Sequence, residues 1–317
     1  MQLDNTRVDV RERGMIDTFD LTLHVIRSFA PRLIPALLLG ILPFALIDQL
    51  IAGWMWEEPE AVNWMDPGDA MNAFLMIFLV QATDMTRFGW AYLALVFFQG
   101  PAATLFGMSY LGGAVFKQDK TLWETVRDVL SMFGPVLLCQ FLLRGTLIAT
   151  LLPLFAWLTV NPEINPAVEV APQLLMLIFV AALRAFRPYI NEIIVLERNH
   201  LWSRSGAMTV GKRSSFLHGS SSGDLLGQWL GSCIAAFVLL HVLFWSMWSV
   251  YIVMFGDYNL MGWVPQHVLR PVALWSVVAY LGVARFLMYL DLRIRQEGWE
   301  VELLIKAEAA RLAEKLT

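Results

Sequence analysis

Charge is scarce in this chain. Of its 317 residues only 16% are Asp, Glu, Lys or Arg and 57% are hydrophobic, whereas a soluble globule carries about 25% charged residues. Mean hydropathy is +0.57. This balance excludes an ordinary water-facing domain. Cysteine is nearly absent: Cys139 and Cys233 each sit in an apolar segment, and they read as packed thiols rather than as a disulfide or a metal site. A basic surplus is missing too. A net charge of −4 and a pI of 5.8 do not provide the basic surface that phosphate contact needs, so nucleic acid is not an expected partner. Residues 1–28 are charged and lack a clean apolar run, which argues against a cleavable signal peptide. The five histidines, His24, His200, His218, His241 and His267, have no metal-ligand spacing. Nucleotide-binding, zinc-protease and serine-hydrolase motifs are not found either. No cofactor, no metal and no catalytic residue set is therefore expected.

What the chain does have is length in its apolar runs. They fall at 32–55, 88–115, 134–160, 172–190, 226–254 and 268–289. Each is long enough to cross a hydrocarbon core of about 30 Å as a helix, the fourth only barely. A shorter run, Ala70–Gln81, fits an interfacial or re-entrant helix. An even number of spans puts both termini on one side, and basic residues choose which. Seventeen Lys and Arg residues flank the spans on that side, among them Arg7, Arg11, Arg13, Lys117, Lys120, Arg204, Lys212, Arg311 and Lys315. Only Arg87 lies in the opposite loops. The termini are expected in the cytoplasm. The opposite loops are acidic and tryptophan-bearing, with Trp54, Trp56, Glu57, Glu58 and Trp64 in the first.

Residues 17–38 and 121–142 match at an offset of 104, pairing Phe19 with Trp123, Asp20 with Glu124, Phe29 with Phe133 and Pro31 with Pro135. In each copy a capping residue opens a helix: Asp17 in the first, and Thr121 in a T-x-x-E box with Glu124 in the second. Phe19, Leu23, Ile26 and Ala30 form one apolar stripe suited to a membrane surface, with Asp20, His24 and Arg27 opposite. The proline then marks an elbow into the span. A looser third copy starts at Asp224. The expected fold class is all-α: a polytopic membrane protein of six transmembrane helices in three hairpins with amphipathic cytoplasmic elbow helices. A single membrane domain covers 1–317, with an elbow at 1–31 and a cytoplasmic amphipathic tail at 290–317. Trp202–Gly223, rich in Ser and Gly, reads as a loop.

Charges inside or beside the spans are the candidate site. In RAFRPYINEIIVLERN, helical spacing puts Arg184, Arg187, Asn191 and Arg198 on one face, with Glu192 to one side. The last span runs into RFLMYLDLRIRQEGWEVELL, with Arg285, Asp291, Arg293 and Arg295. These arginines either snorkel to headgroups or join the two spans in a charge network, with coupling expected between Arg187 and Asp291. Arg144 lies ten residues beyond Gly134, roughly 15 Å into the bilayer. It either bonds backbone and water or lines a cavity that holds a lipid phosphate or another anion.

RPYINEIIVLERN, YLDLRIRQEGWEVELL and the opening GMIDTFDLTLHVIRSFAPRL resemble the signatures of a broad bacterial group of multi-span proteins. That group is similar to the membrane domain attached to some glycerophosphodiester phosphodiesterases. The resemblance implies a bacterial cytoplasmic membrane and a multi-pass architecture, and it carries over no catalytic residue. Three functions fit the sequence. The first is a non-catalytic scaffold or accessory subunit of a membrane or envelope complex, with lipids and another membrane protein as partners. The second is a transporter of lipid or small solute, and the third an intramembrane lipid enzyme.

Overall fold

The computed structural model describes residues 14–53, 87–115, 120–140, 175, 178–202, 208–219, 222–260 and 262–297. These residues are helical apart from short connections. Among them there is no strand, only an isolated bridge between His200 and Thr209. In chain order the helices are α1 (Met15–Gly53), α2 (Arg87–Ala103), α3 (Leu105–Val115), α4 (Leu122–Leu138), α5 (Ile190–Glu197), α6 (Val210–Gly219), α7 (Ser222–Phe255) and α8 (Arg270–Glu297). A helical stretch at 178–186 precedes α5, and a π-helical turn, Pro265–Leu269, precedes α8.

Four stretches are long and apolar enough to cross a membrane: Met15–Ile51, Tyr92–Val115, Gly223–Phe255 and Pro265–Gln296. They correspond to the first, second, fifth and sixth expected spans. Most of 134–160 and the start of 172–190 lie outside the described residues, as do Ala70–Gln81, Arg144 and the tail beyond Glu297.

Several local expectations need correction. Asp17 does not cap α1. The helix begins at Met15, and the Thr18 hydroxyl donates back to the Gly14 carbonyl at 3.0 Å. Pro31 makes no elbow, because α1 runs unbroken through Pro31, Pro35 and Pro43. A proline removes one donor, and a membrane-length helix with neighbours tolerates the loss. The protein-facing side of α1 is instead Thr18, Thr22, Val25 and Leu33, while Leu23 of the apolar stripe is 59% exposed. Nor is Trp202–Gly223 all loop. Val210, Ser214, Leu217 and His218 recur at i, i+4, i+7 and i+8 and are the buried face of α6.

The second elbow's start is as expected. Thr121 accepts from the Glu124 amide at 3.2 Å, and the Glu124 carboxylate accepts from the Thr121 amide at 2.9 Å. A cap of this kind contributes about 0.5–2 kcal/mol. Pro135 again lies inside its helix rather than ending it. Cys139 is buried as expected, whereas Cys233 is exposed on α7.

The described residues fall into two contact units. The first lies within 1–40, 101–234 and 279–317, and the second within 41–100 and 235–278. In the first, α3 packs on α4 and α5, α4 on α5, and α5 on α6. Small residues allow close approach there. A Cβ on Gly282 would come within 2.6 Å of the Thr104 methyl, and one on Gly40 would collide with the Ala103 carbonyl. In the second, Phe244, Leu260 and Ala273 form a core with Leu240, Trp245 and Trp248 around them. The Arg270 guanidinium lies 5.5 Å above the Phe244 ring.

Candidate functional site

The candidate site is a set of buried polar residues in the first unit, centred on α5. Its geometry begins with a proline. Pro188 ends the 178–186 helix, because proline disfavours helical backbone in the residue before it. The chain turns through Arg187–Tyr189 before α5 starts at Ile190. The expected continuous face of Arg184, Arg187 and Asn191 is therefore broken. Arg184 is buried, while Arg187 is exposed at the bend.

The turn leaves the Tyr189 amide without a helical acceptor, and His218 of α6 supplies one. Its Nε2 accepts from Tyr189 N–H at 3.4 Å, and its Nδ1 donates to the Ser214 carbonyl at 2.7 Å. Those two roles define the neutral tautomer with its proton on Nδ1. The imidazole also stacks on the Tyr189 ring at 5.8 Å. Asn191 repairs a second break. The helix is interrupted at Thr104, and Asn191 Nδ2 donates to the carbonyl of Pro101 at 3.1 Å. The Asn191 amide oxygen in turn accepts from Gln140 of the chain following α4.

The acids of α5 meet the bases of α8. Glu192 has no exposed surface, and its carboxylate lies 2.6 Å from Arg285 Nε and 2.8 Å from Arg285 Nη2. Glu197 accepts from Arg213 Nε at 2.6 Å and Nη2 at 2.9 Å, from the Tyr289 hydroxyl at 2.6 Å and from Asn199 Nδ2 at 2.9 Å. Arg293 Nε lies 3.5 Å away. Arg285, Tyr289 and Arg293 are spaced i, i+4, i+8 on one face of α8. Since Glu192 pairs with the first and Glu197 with the other two, α5 and α8 run in the same sense where they touch.

Burial alone would raise the Glu197 carboxyl. Hydrogen bonds from Arg213 and Tyr289 and the charges of Arg293 and Arg213 outweigh it, holding the group below the usual glutamate range. Nearby, Asp128 of α4 binds Lys120 at 2.8 Å and Arg198 at 2.9 Å. Its slight burial acts upward, but Lys120 and then Arg198 hold it below the ordinary aspartate value. Arg198 itself takes a left-handed conformation, φ 55°, where it ends α5.

Of the expected residues, the structure brings Glu192 and Arg285 together. Asp291 pairs with Arg295 on its own helix, and Arg144 lies outside the described residues. Glu197, Arg213, Tyr289 and His218 were missed. An E-x4-E spacing in INEIIVLE facing R-x3-Y-x3-R in RFLMYLDLR was the available signal. Chemically, Glu197 is filled by donors from Arg213, Tyr289 and Asn199 and Glu192 is paired with Arg285, an arrangement that fastens helices together. Among the described residues no group of three or more His, Cys, Asp or Glu is placed to hold a metal ion.

Removing one member of the Glu192–Arg285 pair strands a buried charge, at a cost of about 3–5 kcal/mol. Glu192→Gln and Arg285→Met should each lower the unfolding temperature in detergent, and the double variant should lose clearly less than the sum. Additive losses would show that the two groups do not interact. Glu197 predicts a pH dependence. Its depressed folded value contributes stability that is full above the ordinary glutamate value of about 4.3 and is lost as pH falls through the folded value. The stability gap between wild type and Glu197→Gln should thus be widest at neutral pH and close in acid. A gap that does not change with pH would refute the ion-pair role.

No family model, no curated protein and no solved structure matches the chain.

Proposed function

We propose that this protein is a non-catalytic membrane scaffold, an accessory subunit around which a membrane or envelope complex assembles. The observation that carries the reading is the Glu197 clamp. One carboxylate takes donors from Arg213 on α6, Tyr289 on α8 and the adjacent Asn199, with Arg293 close by. A carboxyl committed in this way joins three helices and has no lone pair left for moving a substrate proton. The four membrane-length helices support a place in a membrane. Within this reading the chain has six spans in three hairpins, sits in a bacterial cytoplasmic membrane with both termini inside, and belongs to the group resembling the membrane domain of glycerophosphodiester phosphodiesterases.

Transport of a lipid or small solute is the second reading, and the helix interruptions favour it. The break at Thr104, the turn at Arg187–Tyr189 and the π-helical turn at Pro265–Leu269 each lie beside buried polar side chains. Interrupted helices of this kind line substrate sites in transporters.

Affinity purification in mild detergent, followed by mass spectrometry of proteins and lipids, separates the two. A stoichiometric protein partner supports the scaffold. A retained lipid or solute with no partner overturns it in favour of transport. Orientation is tested in a variant lacking Cys139 and Cys233. Asp257→Cys should react with impermeant maleimide from outside and Ser220→Cys should not. The reverse pattern would invert the topology.

A further inference from the structure

Asp48 lies near the C-terminal end of α1 and has no exposed surface. One carboxylate oxygen, Oδ1, accepts from Gln99 Nε2 of α2 at 2.7 Å. The other, Oδ2, is buried and has no hydrogen-bond partner among the described residues, and the same holds for Gln99 Oε1. One amide N–H is poor compensation for a carboxylate taken out of water.

The other titratable groups described on these elements have contacts of their own. From α2, Tyr92 is close enough to feel the Asp48 charge, and its hydroxyl accepts from Trp275 Nε1 at 3.2 Å. From the π-helical turn, the His267 ring stacks on Trp263 with centroids 5.1 Å apart. From α8, Arg270 lies over Phe244.

A single proton repairs both defects. On Asp48 Oδ2 it neutralises the buried charge and turns an acceptor without a partner into a donor. Gln99 Oε1 is the acceptor left over on the residue already bonded to Oδ1. Acid and amide then pair through two hydrogen bonds, Gln99 N–H to Oδ1 and Asp48 O–H to Oε1. We propose that Asp48 and Gln99 form a proton-binding site inside the membrane-length helices, with the proton held on Asp48 Oδ2 at neutral pH. The inference goes beyond the scaffold reading and does not depend on it.

The test is infrared difference spectroscopy of the full-length protein in nanodiscs as pH is raised, together with thermal unfolding. Wild type should show the carbonyl stretch of a hydrogen-bonded carboxylic acid at neutral pH, and Asp48→Asn should lack it. Since the proton is held in the folded state, stability of the wild type should fall as pH rises and the proton leaves, while Asp48→Asn keeps its stability. If Asp48→Asn does not fold, Gln99→Leu carries the test. Its acid band should persist but move to the position of a carboxyl with fewer hydrogen bonds, and an unmoved band overturns the pairing. An ionised Asp48 at neutral pH overturns the proposal. So does sodium-dependent stabilisation of the wild type that Asp48→Asn lacks, which would make the ligand a metal cation.

Discussion

A backbone N–H or C=O freed by a break in a helix, in surroundings that exclude water, must find a partner or cost several kcal/mol. This constraint shapes the polar interior here. The interruption at Thr104 frees the Pro101 carbonyl, and Asn191 fills it. The turn before α5 frees the Tyr189 amide, and His218 fills it. Pro271 has no N–H to give the His267 carbonyl four residues back, and Gln49 donates to that carbonyl at 2.7 Å. In each case the filling side chain comes from another element, so each break becomes a tie between helices. Irregular backbone and buried amides are two sides of one arrangement.

The buried carboxylates follow a related rule. A charge out of water is tolerable only with a counter-charge in good geometry and with its remaining lone pairs occupied. Glu192 meets the first condition with Arg285, and Glu197 meets both with Arg213, Tyr289 and Asn199. Such pairs add little to stability against an apolar replacement of the same shape. They do determine which helix faces which, because a slip of one residue would strand a charge.

The parts of the fold that were legible from sequence are those governed by local chemistry. The Thr121–Glu124 capping box needs four residues and no neighbours, and it is present. Hydropathy placed apolar runs at 32–55, 88–115, 226–254 and 268–289, and the membrane-length helices at 15–51, 92–115, 223–255 and 265–296 overlap them, because length and apolarity are what a bilayer selects. The protein-facing side of α1 was not legible. In water an apolar stripe marks the core. In lipid Leu23 and Leu50 can face outward at no loss, and Thr18 and Thr22 take the packed side, where small residues and hydroxyls are useful. The partners of the acids were hidden for a different reason. Pro188 breaks the helix that would have aligned Arg187 with Asn191, so the face inferred from periodicity does not exist. The link to α8 then runs through Glu192 and Glu197.

One consequence of the parallel contact between α5 and α8 concerns the dipole of the shorter helix. With eight residues α5 is too short to persist alone. It also carries an acid, Glu197, at its C-terminal end, where the macrodipole is already negative and no basic residue occupies its last turn. Both effects push against the helix until the guanidinium groups of Arg213 and Arg293 arrive from outside to neutralise the carboxylate and the dipole together. The element α5 is thus a conditional helix. Its stability is borrowed from α6 and α8, and it acquires its shape only as they close around it.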